Sequence, residues 1–335
     1  MGATGEKRLQ EPAAKKPKVS VIIPALNEGR VIGRCLESLQ HLDFPRDQFE
    51  VIVVDNGSTD GTARIIDSYT SELNLRRVER KNVRISALRN FGAYLAQGEI
   101  FAFLDADCLA PREWLTNAIS LIGDQPAGVI GGHCQIPEKS SWVARAWYPD
   151  ERINKRGIVQ YIPSGNLVVP RSQFSSVGGF DETLETNEDY EFCQRICKAG
   201  YSVRAFPELN VVHLGVPQTV SEFYRRNRWH GKHVVKVFLR DISSLHNAKP
   251  IFFAAYILLG VLGIVLGILF AAFGRIELFV FSLFATLMGP FALGMYAAVS
   301  RRRLGSVFPL TALYMIYGLA RARCLVGMSS SLRWR

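Results

Sequence analysis

The chain has 335 residues, of which 48% are hydrophobic and 21% are charged, with 28 glycines and 15 prolines. This composition excludes a disordered chain, a collagen-like fibre and a disulfide scaffold. Its 40 lysines and arginines against 30 aspartates and glutamates give a net charge of +10, a balance typical of chains that meet membrane surfaces, nucleic acids or phosphate-bearing ligands.

Residues 1–17 mix small, charged and proline residues without periodicity and lack the apolar segment of a secretory signal, so they are predicted to be a disordered basic tail. Short apolar runs then alternate with segments of helical periodicity. The runs at 19–24, 49–55 and 100–105 predict strands that are buried on both faces. This alternation predicts an α/β domain over residues 18–218, with a mostly parallel sheet flanked by helices.

The alternation loosens after Pro111. Strands are predicted at 129–135 and 166–170, and a helix at 187–199 leads to strands near Val203 and Val211.

Thr219 and Glu222 then fit a capping box, in which each side chain satisfies a backbone N–H at a helix start. The helix that they open is predicted to form a basic amphipathic interfacial segment at 219–249. The basic residues of this segment are Arg225, Arg226, Arg228, Lys232, Lys236, Arg240 and Lys249.

The C-terminal residues 250–335 are predicted to form a membrane region. Residues 251–273 carry no charge and are long enough, at 1.5 Å per residue, to cross a hydrocarbon core of about 30 Å. A second apolar run occupies 278–299, and a third segment at 307–328 is expected either to span the membrane or to lie in its interface. These features predict an integral protein of the plasma (inner) membrane.

Lysine and arginine are concentrated before and after the predicted hairpin, with only Arg275 in its turn, so the N-terminal domain is predicted to be cytosolic. Positive charge beside the membrane favours lipid headgroups and phosphate as partners over nucleic acid, for which the sequence carries no motif.

Acidic residues follow three of the predicted strands. They are Glu28 after the first, Asp55 and Asp60 after the second, and the pair Asp105 and Asp107 after the strand at 100–105. Ligands of open parallel sheets bind beyond the carboxyl ends of the strands, so these residues are candidates for a site. Taken singly, each one is also explained as a turn former or a helix cap.

Asp105 and Asp107 are two residues apart at the end of an extended segment, which places both carboxylates on one side of the chain. Hard divalent ions such as Mg²⁺ or Mn²⁺ take oxygen ligands and bridge substrate phosphates, so the pair is a candidate metal site. A simple Asp turn after the strand is the alternative.

Six motifs, in order along the chain, resemble those of family 2 glycosyltransferases with the GT-A fold. They are PALNE (24–28), VVDNGSTDGT (53–62), the Arg89-Asn90-x-Gly92 helix, FLDADC (103–108), GGFDETLETNEDYEF (178–192) and RRNRW (225–229). The resemblance covers residues 18–232 and implies a GT-A catalytic domain, a Rossmann-like sheet flanked by helices.

The resemblance also implies roles for individual residues. Those implied to line the donor pocket are Pro24, Glu28, Asp55, Arg89, Asp105, Arg228 and Trp229. Asp107 corresponds to the carboxylate that binds the metal, with Asp105 near it and His213 as a further ligand. The general base is implied to come from the Glu188-Asp189 pair, with Asp189 favoured over Glu188.

Several of these assignments have alternatives, and for Arg228 and Trp229 contact with the acceptor is as open as contact with the donor diphosphate. Glu188 and Asp189 are also explained as first-turn acids that complement a helix dipole, and His213 as a packed histidine. Arg228 and Trp229 also suit an interfacial anchor. Arg225 stands where the processive QxxRW signature has Gln, which leaves processivity open.

The resemblance implies an inverting, metal-dependent glycosyltransferase, with Mg²⁺ or Mn²⁺ as cofactor. Its expected donor is a nucleotide sugar, with a UDP-sugar favoured, and its expected acceptor is a hydroxyl of a lipid-linked glycan at the cytosolic membrane face, as in exopolysaccharide or surface-glycan synthesis. Direct transfer to a polyprenyl phosphate is the close alternative. A catalytically idle, membrane-anchored nucleotide-binding module is the alternative from another class.

Overall fold

The computed structural model describes residues 18–123, 127–148, 154–232 and 245–326. The predicted basic tail at 1–17 lies outside the described residues. So do Lys236 and Arg240 of the predicted basic helix, and the last two residues of the segment predicted at 307–328.

Eleven strands and eleven helices make up the described part of the chain, together with a few short 3-10 turns. The strands are β1 (Val19–Ala25), β2 (Phe49–Asp55), β3 (Leu75–Glu79), β4 (Ile100–Leu104), β5 (Cys108–Leu109), β6 (Ala127–Gly131), β7 (Cys134–Gln135), β8 (Gly157–Ile158), β9 (Asn166–Pro170), β10 (Ser202–Ala205) and β11 (Val211–His213). The helices are α1 (Ile32–Gln40), α2 (Thr62–Ser68), α3 (Ile85–Leu95), α4 (Trp114–Gly123), α5 (Trp142–Trp147), α6 (Arg171–Ser176), α7 (Glu188–Lys198), α8 (Val220–Gly231), α9 (Leu245–Ala271), α10 (Ile276–Ser300) and α11 (Val307–Val326).

The main sheet has eight strands in the order β3-β2-β1-β4-β9-β6-β10-β8. Its first four strands are mutually parallel, β9 runs antiparallel to both β4 and β6, and β10 is parallel to β6. A small second sheet has the order β5-β11-β7. The predicted α/β architecture is confirmed, and the antiparallel β9 makes the sheet mixed. From β1 the chain continues to β2 on one side, and β4 pairs with β1 on the other side. This change of direction opens a crevice at the carboxyl ends of β1 and β4.

Both faces of the sheet are buried, which is why β1 reads as a continuous apolar run. Val21 and Ile23 face the cluster that α1 and α4 cover, and Ile22 faces the cluster that α3 and α7 cover. Gly92 lets α3 approach β1 closely, because a Cβ at this position would overlap Ile22.

The strand predicted at 129–135 is wrong as a single element. The chain forms β6 in the main sheet and β7 in the small one, with two glycines at the change of sheet. A Cβ at Gly131 would collide with the Asn166 carbonyl, and one at Gly132 with the Leu209 backbone. Close backbone approach at this corner therefore requires glycine and redirects the chain.

Helices α9 and α10 form an antiparallel pair joined at Gly274 and Arg275, and both are long and apolar enough to cross a membrane. Gly267 of α9 packs against the Phe279 backbone of α10, and Gly263 lies beside Ser282. Small residues at such a contact allow two helices to approach closely. Helix α10 includes the whole apolar run at 278–299 and begins two residues before it, whereas α9 begins at Leu245, six residues before the run at 251–273.

Helix α11 connects this pair to the sheet domain. Gly318 faces Phe253, near the start of α9, and Thr311 faces Gly294, near the end of α10. On its other side, Trp147 of α5 packs against Tyr314 of α11, with ring centroids 5.2 Å apart. The third segment thus lies across the ends of α9 and α10 that are nearest the sheet domain.

Candidate functional site

The carboxyl ends of β1 and β2 are joined by interlocking loops. Asp55, which ends β2 and is buried, accepts hydrogen bonds from the Ser58 backbone N–H (2.9 Å) and from the Ser58 hydroxyl (2.7 Å). The Ser58 oxygen in turn accepts the backbone N–H of Asn27, a residue in the left-handed conformation with φ 56°. Pro24 is buried within β1, in register with Val54. These contacts fix the position of the Asp55 carboxylate at the crevice.

Glu28 and Asp60 have different surroundings in these loops. Asp60 accepts the backbone N–H groups of Gly29 (3.1 Å) and Thr62 (2.9 Å), so it shapes the turn that opens α2. Burial, together with the nearby carboxylates of Asp107 and Asp105, raises the pKa of Glu28 to about 7. Glu28 therefore belongs to a group of acids that repel one another when all are ionised.

Arg89 of α3 holds two predicted site residues together. Its guanidinium, only 1% exposed, donates from Nη2 to Asp105 Oδ1 (2.6 Å) and from Nη1 to Glu188 Oε1 (2.8 Å). The Ser164 hydroxyl also donates to Glu188 Oε1 (3.2 Å). Burial opposes the charge of Arg89, yet the two carboxylates raise its pKa above the ordinary value. Because Glu188 is engaged by Arg89 and Ser164, the neighbouring Asp189 is the acid that is more available to contact a substrate.

That neighbour, Asp189, lies in the first turn of α7. Its Oδ1 accepts the Tyr190 backbone N–H (2.7 Å), and its Oδ2 accepts the Ser164 backbone N–H (3.4 Å). Burial and the adjacent Glu188 carboxylate raise the pKa of Asp189 to about 7. A carboxylate of this pKa accepts and releases protons near neutral pH, as a general base must.

Asp107 lies opposite His213, with 3.3 Å between Asp107 Oδ2 and His213 Nε2. The pairing of β11 with β5 brings them together, because His213 is directly opposite Cys108 in that ladder. Ligand atoms of Asp107, Cys108 and His213 lie within 4.8 Å of one another, an arrangement that could hold a metal ion. Gly215 is needed beside them, since a Cβ there would overlap Asp107 Oδ2.

The structure thus brings Asp107 and His213 together, as predicted, and adds Cys108. Asp105, the other predicted metal ligand, accepts a hydrogen bond from Arg89 at Oδ1. Within the described residues it is not part of the group formed by Asp107, Cys108 and His213. A hydrogen bond with Cys134 and burial raise the pKa of the Cys108 thiol well above its ordinary value. Cys108 immediately follows the Asp-Ala-Asp motif, which is the sequence signal that could have indicated it.

Helix α8 contacts this edge of the sheet through Arg226, a residue to which the sequence motifs assign no role. Arg226 donates from Nη1 to the Gly215 carbonyl (2.7 Å), next to Asp107. Arg228 faces α11, where the Cys324 thiol donates to its carbonyl (3.0 Å), and the Trp229 ring packs against His230 with centroids 4.8 Å apart. The position of Arg226 one turn before Trp229 was visible in the sequence, but its contact with the loop after β11 was not.

The end of α8 also contacts the loop that carries the acids of α7. Lys232 Nζ lies 2.9 Å from Glu185 Oε2, three residues before Glu188. The predicted site residues at the strand ends and at the start of α7 therefore lie at one edge of the sheet beside α8, whereas Arg228 faces α11.

Comparison with known proteins is consistent with this architecture. The sequence model of glycosyl transferase family 2 matches residues 20–174, and that of glycosyl transferase family group 2 matches residues 100–300. Glycosyltransferase AglE of Haloferax volcanii is 31% identical over 255 residues, which are 73% of this chain and 82% of that protein.

Two other curated relatives are longer proteins. Validoxylamine A glucosyltransferase of Streptomyces hygroscopicus subsp. jinggangensis is 30% identical over 61% of this chain, and beta-monoglucosyldiacylglycerol synthase of Nostoc sp. is 27% identical over 64% of it. The chain spans 54% and 48% of their lengths, about half in each case.

Two solved structures share the fold. Mannosyltransferase PcManGT of Pyrobaculum calidifontis, solved in complex with GDP-Man and Mn²⁺, superposes with a TM-score of 0.59 at 22% identity. The match covers 96% of this chain and 90% of the PcManGT chain. TarS 1–349 of S. aureus, solved with UDP, has a TM-score of 0.51 at 22% identity and covers 92% of both chains. At these identities the likeness concerns the GT-A fold.

Proposed function

The chain belongs to glycosyl transferase family 2 and is a glycosyltransferase, and we propose that it transfers a sugar, with inversion, from a nucleotide-sugar donor to a hydroxyl of a lipid-linked glycan. The observation that carries the proposal is the position of the acidic edge, formed by the site residues at the ends of β1, β2 and β4 and the start of α7. It lies beside α8, and α8 packs on α11, which in turn packs on a helix pair long enough to span a membrane.

The donor nucleotide is assigned to the crevice at the ends of β1 and β2. Ser58 fixes Asp55 by two hydrogen bonds to Oδ1, so Oδ2, which lies 4.0 Å from Arg77 Nη1, can accept a hydrogen bond from the base or ribose. Pro24 and Glu28 border the same crevice, and Arg89 positions Asp105 at the end of β4. A UDP-sugar remains the favoured donor.

Asp107 and His213 are assigned to a divalent cation, Mn²⁺ or Mg²⁺. Carboxylate oxygen and imidazole nitrogen suit such ions, whereas the soft sulfur of Cys108 suits softer metals. The bound cation would neutralise charge on the leaving diphosphate. Arg226, next to Asp107, contributes a further positive charge from the protein.

Asp189 is assigned the role of general base. Its pKa of about 7 lets a large fraction be deprotonated at neutral pH, while Glu188 is engaged by Arg89 and Ser164. Asp189 would remove the proton of an acceptor hydroxyl as that oxygen attacks the anomeric carbon.

The acceptor is proposed to be lipid-linked, with the catalytic domain on the cytosolic face of the membrane. Helices α9 and α10 leave large apolar side chains exposed along their length, including Phe252, Leu259, Phe281 and Phe284. Contiguous apolar surface of this kind is stable in lipid and unfavourable in water. Helix α11 would then lie at the interface, below the acidic edge.

The test is nucleotide release by the full-length protein in bacterial lipid, across UDP-, GDP- and dTDP-sugars. We expect release from one donor, abolished by EDTA and by Asp107→Asn. Asp43→Asn is the matched control, because Asp43 forms an exposed pair with Arg112 away from the proposed site. UDP or GDP binding without release from any donor, with lipid extract present, would contradict the proposal in favour of an idle nucleotide-binding module.

A further inference from the structure

Helices α8 and α11 meet at a group of basic side chains outside the acidic edge. We call this group the α8–α11 basic cluster, and its members are Arg226, Arg228, His230, Lys232 and Arg321. Arg228 and Gly231 are three residues apart on α8 and so share a face, and Arg321 and Cys324 share a face of α11 in the same way. Contacts of Gly231 with Cys324 and Arg321 show that these two faces are packed together.

Arg321 carries N–H groups that the protein does not satisfy. Its Nε and Nη1 are buried and, within the described residues, have no hydrogen-bond partner. The guanidinium lies over the Tyr317 ring, 5.0 Å from its centroid. A Cβ at Gly231 would lie only 3.3 Å from Nη1, so the glycine leaves room for the arginine. Buried donors without acceptors are costly, which indicates that a ligand supplies the oxygens.

The other charges of the cluster have partners or are neutralised, with one exception. Lys232 pairs with Glu185, and Arg226 donates to the Gly215 carbonyl. Burial and the nearby Arg226 and Arg321 lower the pKa of His230 to about 3, so this histidine is neutral. The exception is Arg228, whose guanidinium has no hydrogen bond or ion pair in the described part of the chain. Two arginines are therefore available to an anion.

The location of the cluster indicates where the anion comes from. Helix α11 packs on both α9 and α10, so Arg321 is carried by the element that joins the membrane-spanning pair to α8. On the other side of the cluster, Arg226 reaches the loop beside Asp107. A group bound here lies between the lipid-facing helices and the acidic edge.

We propose that Arg321, with Arg228, binds the phosphate oxygens of a lipid-linked acceptor and so places its sugar at the acidic edge. This inference rests on the proposed function and names the chemical class of the acceptor. Guanidinium groups match phosphate because their planar N–H donors bind two oxygens at once. The diphosphate of the donor has the same chemistry, and the experiment separates the two sources.

The experiment measures binding to the full-length protein in detergent micelles, with undecaprenyl phosphate, undecaprenol and UDP with Mn²⁺ as separate probes. Arg321→Gln is compared with Arg323→Gln, a matched control two residues along α11 whose side chain is exposed. Loss of a charge-assisted hydrogen bond predicts that Arg321→Gln raises the Kd for undecaprenyl phosphate at least about tenfold. The Kd for UDP should stay within about twofold, since the proposed nucleotide contacts lie at the strand ends. Arg323→Gln should change neither, and undecaprenol should bind all variants equally.

Equal binding of undecaprenyl phosphate by the wild type and Arg321→Gln would overturn the proposal, as would a loss confined to UDP. If Arg321→Gln does not fold, Arg321→Lys takes its place in the binding measurement. In addition, inorganic diphosphate is tested as a competitor of undecaprenyl phosphate on the wild type, and absence of competition overturns the proposal. Since binding is measured without turnover, failure of nucleotide release contradicts the proposed function alone. Normal release with Arg321-independent lipid binding contradicts this inference alone.

Discussion

The acidic edge and the α8–α11 basic cluster differ in how their charges are balanced. At the acidic edge most carboxylates have partners inside the protein: Asp105 and Glu188 have Arg89, Asp107 has His213, and Asp189 accepts two backbone N–H groups. In the basic cluster, buried N–H groups of Arg321 are unsatisfied in the described part of the chain. The comparison indicates that the acidic edge is organised before substrates arrive, whereas the basic cluster is completed by an anion.

The largest effect is expected at the acidic edge, from Asp189→Asn. Asn cannot accept the acceptor proton, so turnover should fall by about 10²–10⁴, the usual contribution of a general base. The measurement is kcat with the donor identified by nucleotide release. Donor Kd should change little, because the partners of the Asp189 carboxylate in the described part of the chain are the backbone N–H groups of Ser164 and Tyr190.

Glu182→Gln is the control for this substitution, since Glu182 is an exposed acid that precedes α7. It should leave turnover unchanged. Retention of most turnover in Asp189→Asn would favour transfer to a lipid phosphate, a nucleophile that needs little base catalysis, and would contradict the hydroxyl acceptor.

Arg89→Met should destabilise the fold more than any surface charge change. It leaves Asp105 and Glu188 without their buried cation, and breaking such an arrangement costs roughly 3–5 kcal/mol. Urea unfolding of the full chain in detergent, followed by tryptophan fluorescence, measures this loss, and Trp114 is a buried reporter.

Arg112→Met is the comparison for that measurement, because Arg112 and Asp43 form an exposed pair. Its effect should be below about 1 kcal/mol. A similar loss in both variants would show that the Arg89 pairs do not organise the acidic edge.

A pH profile sharpens the assignment of the base. With a pKa of about 7, Asp189 is increasingly protonated below neutrality, so kcat/KM should fall about tenfold per pH unit on the acid side. Glu28 has a raised pKa in the same range, so the profile is repeated in Glu28→Gln. The acid limb should persist in Glu28→Gln and be absent from the residual rate of Asp189→Asn. A limb that disappears only in Glu28→Gln would assign the titration to Glu28.

The same two regions show how far the sequence predicts the structure. Asp55, Asp105 and Asp107 directly follow strands, and a parallel sheet places strand ends at one edge whatever the loops do. The pairing of Arg89 with Asp105 and Glu188 was not predictable from spacing, because it depends on how α3 and α7 pack on the same face of the main sheet.

The basic cluster was less predictable for the same reason. Arg228 and Arg321 are far apart in the sequence and meet only through the packing of α8 on α11, which Gly231 permits. The apolar run of α11 predicts a helix, but its path depends on contacts such as Trp147 with Tyr314. The split of 129–135 into β6 and β7 likewise depends on the backbone of β9 and the Leu209 turn.

The smallest expected effect lies where the two regions touch, at the Lys232–Glu185 pair. Both side chains are about one-third exposed, so their coupling should be only about 0.2–1 kcal/mol. A double-mutant cycle with Lys232→Gln and Glu185→Gln measures it from urea unfolding and from kcat in parallel. If α8 helps to hold the loop before α7, each single variant lowers kcat by about the same small factor, and the double variant is no worse than either. The effect should shrink at high ionic strength, because salt screens the pair. Additive losses in kcat would mean that the basic cluster and the acidic edge act independently, and that the position of Asp189 depends on its bonds with Ser164 and Tyr190 and not on α8.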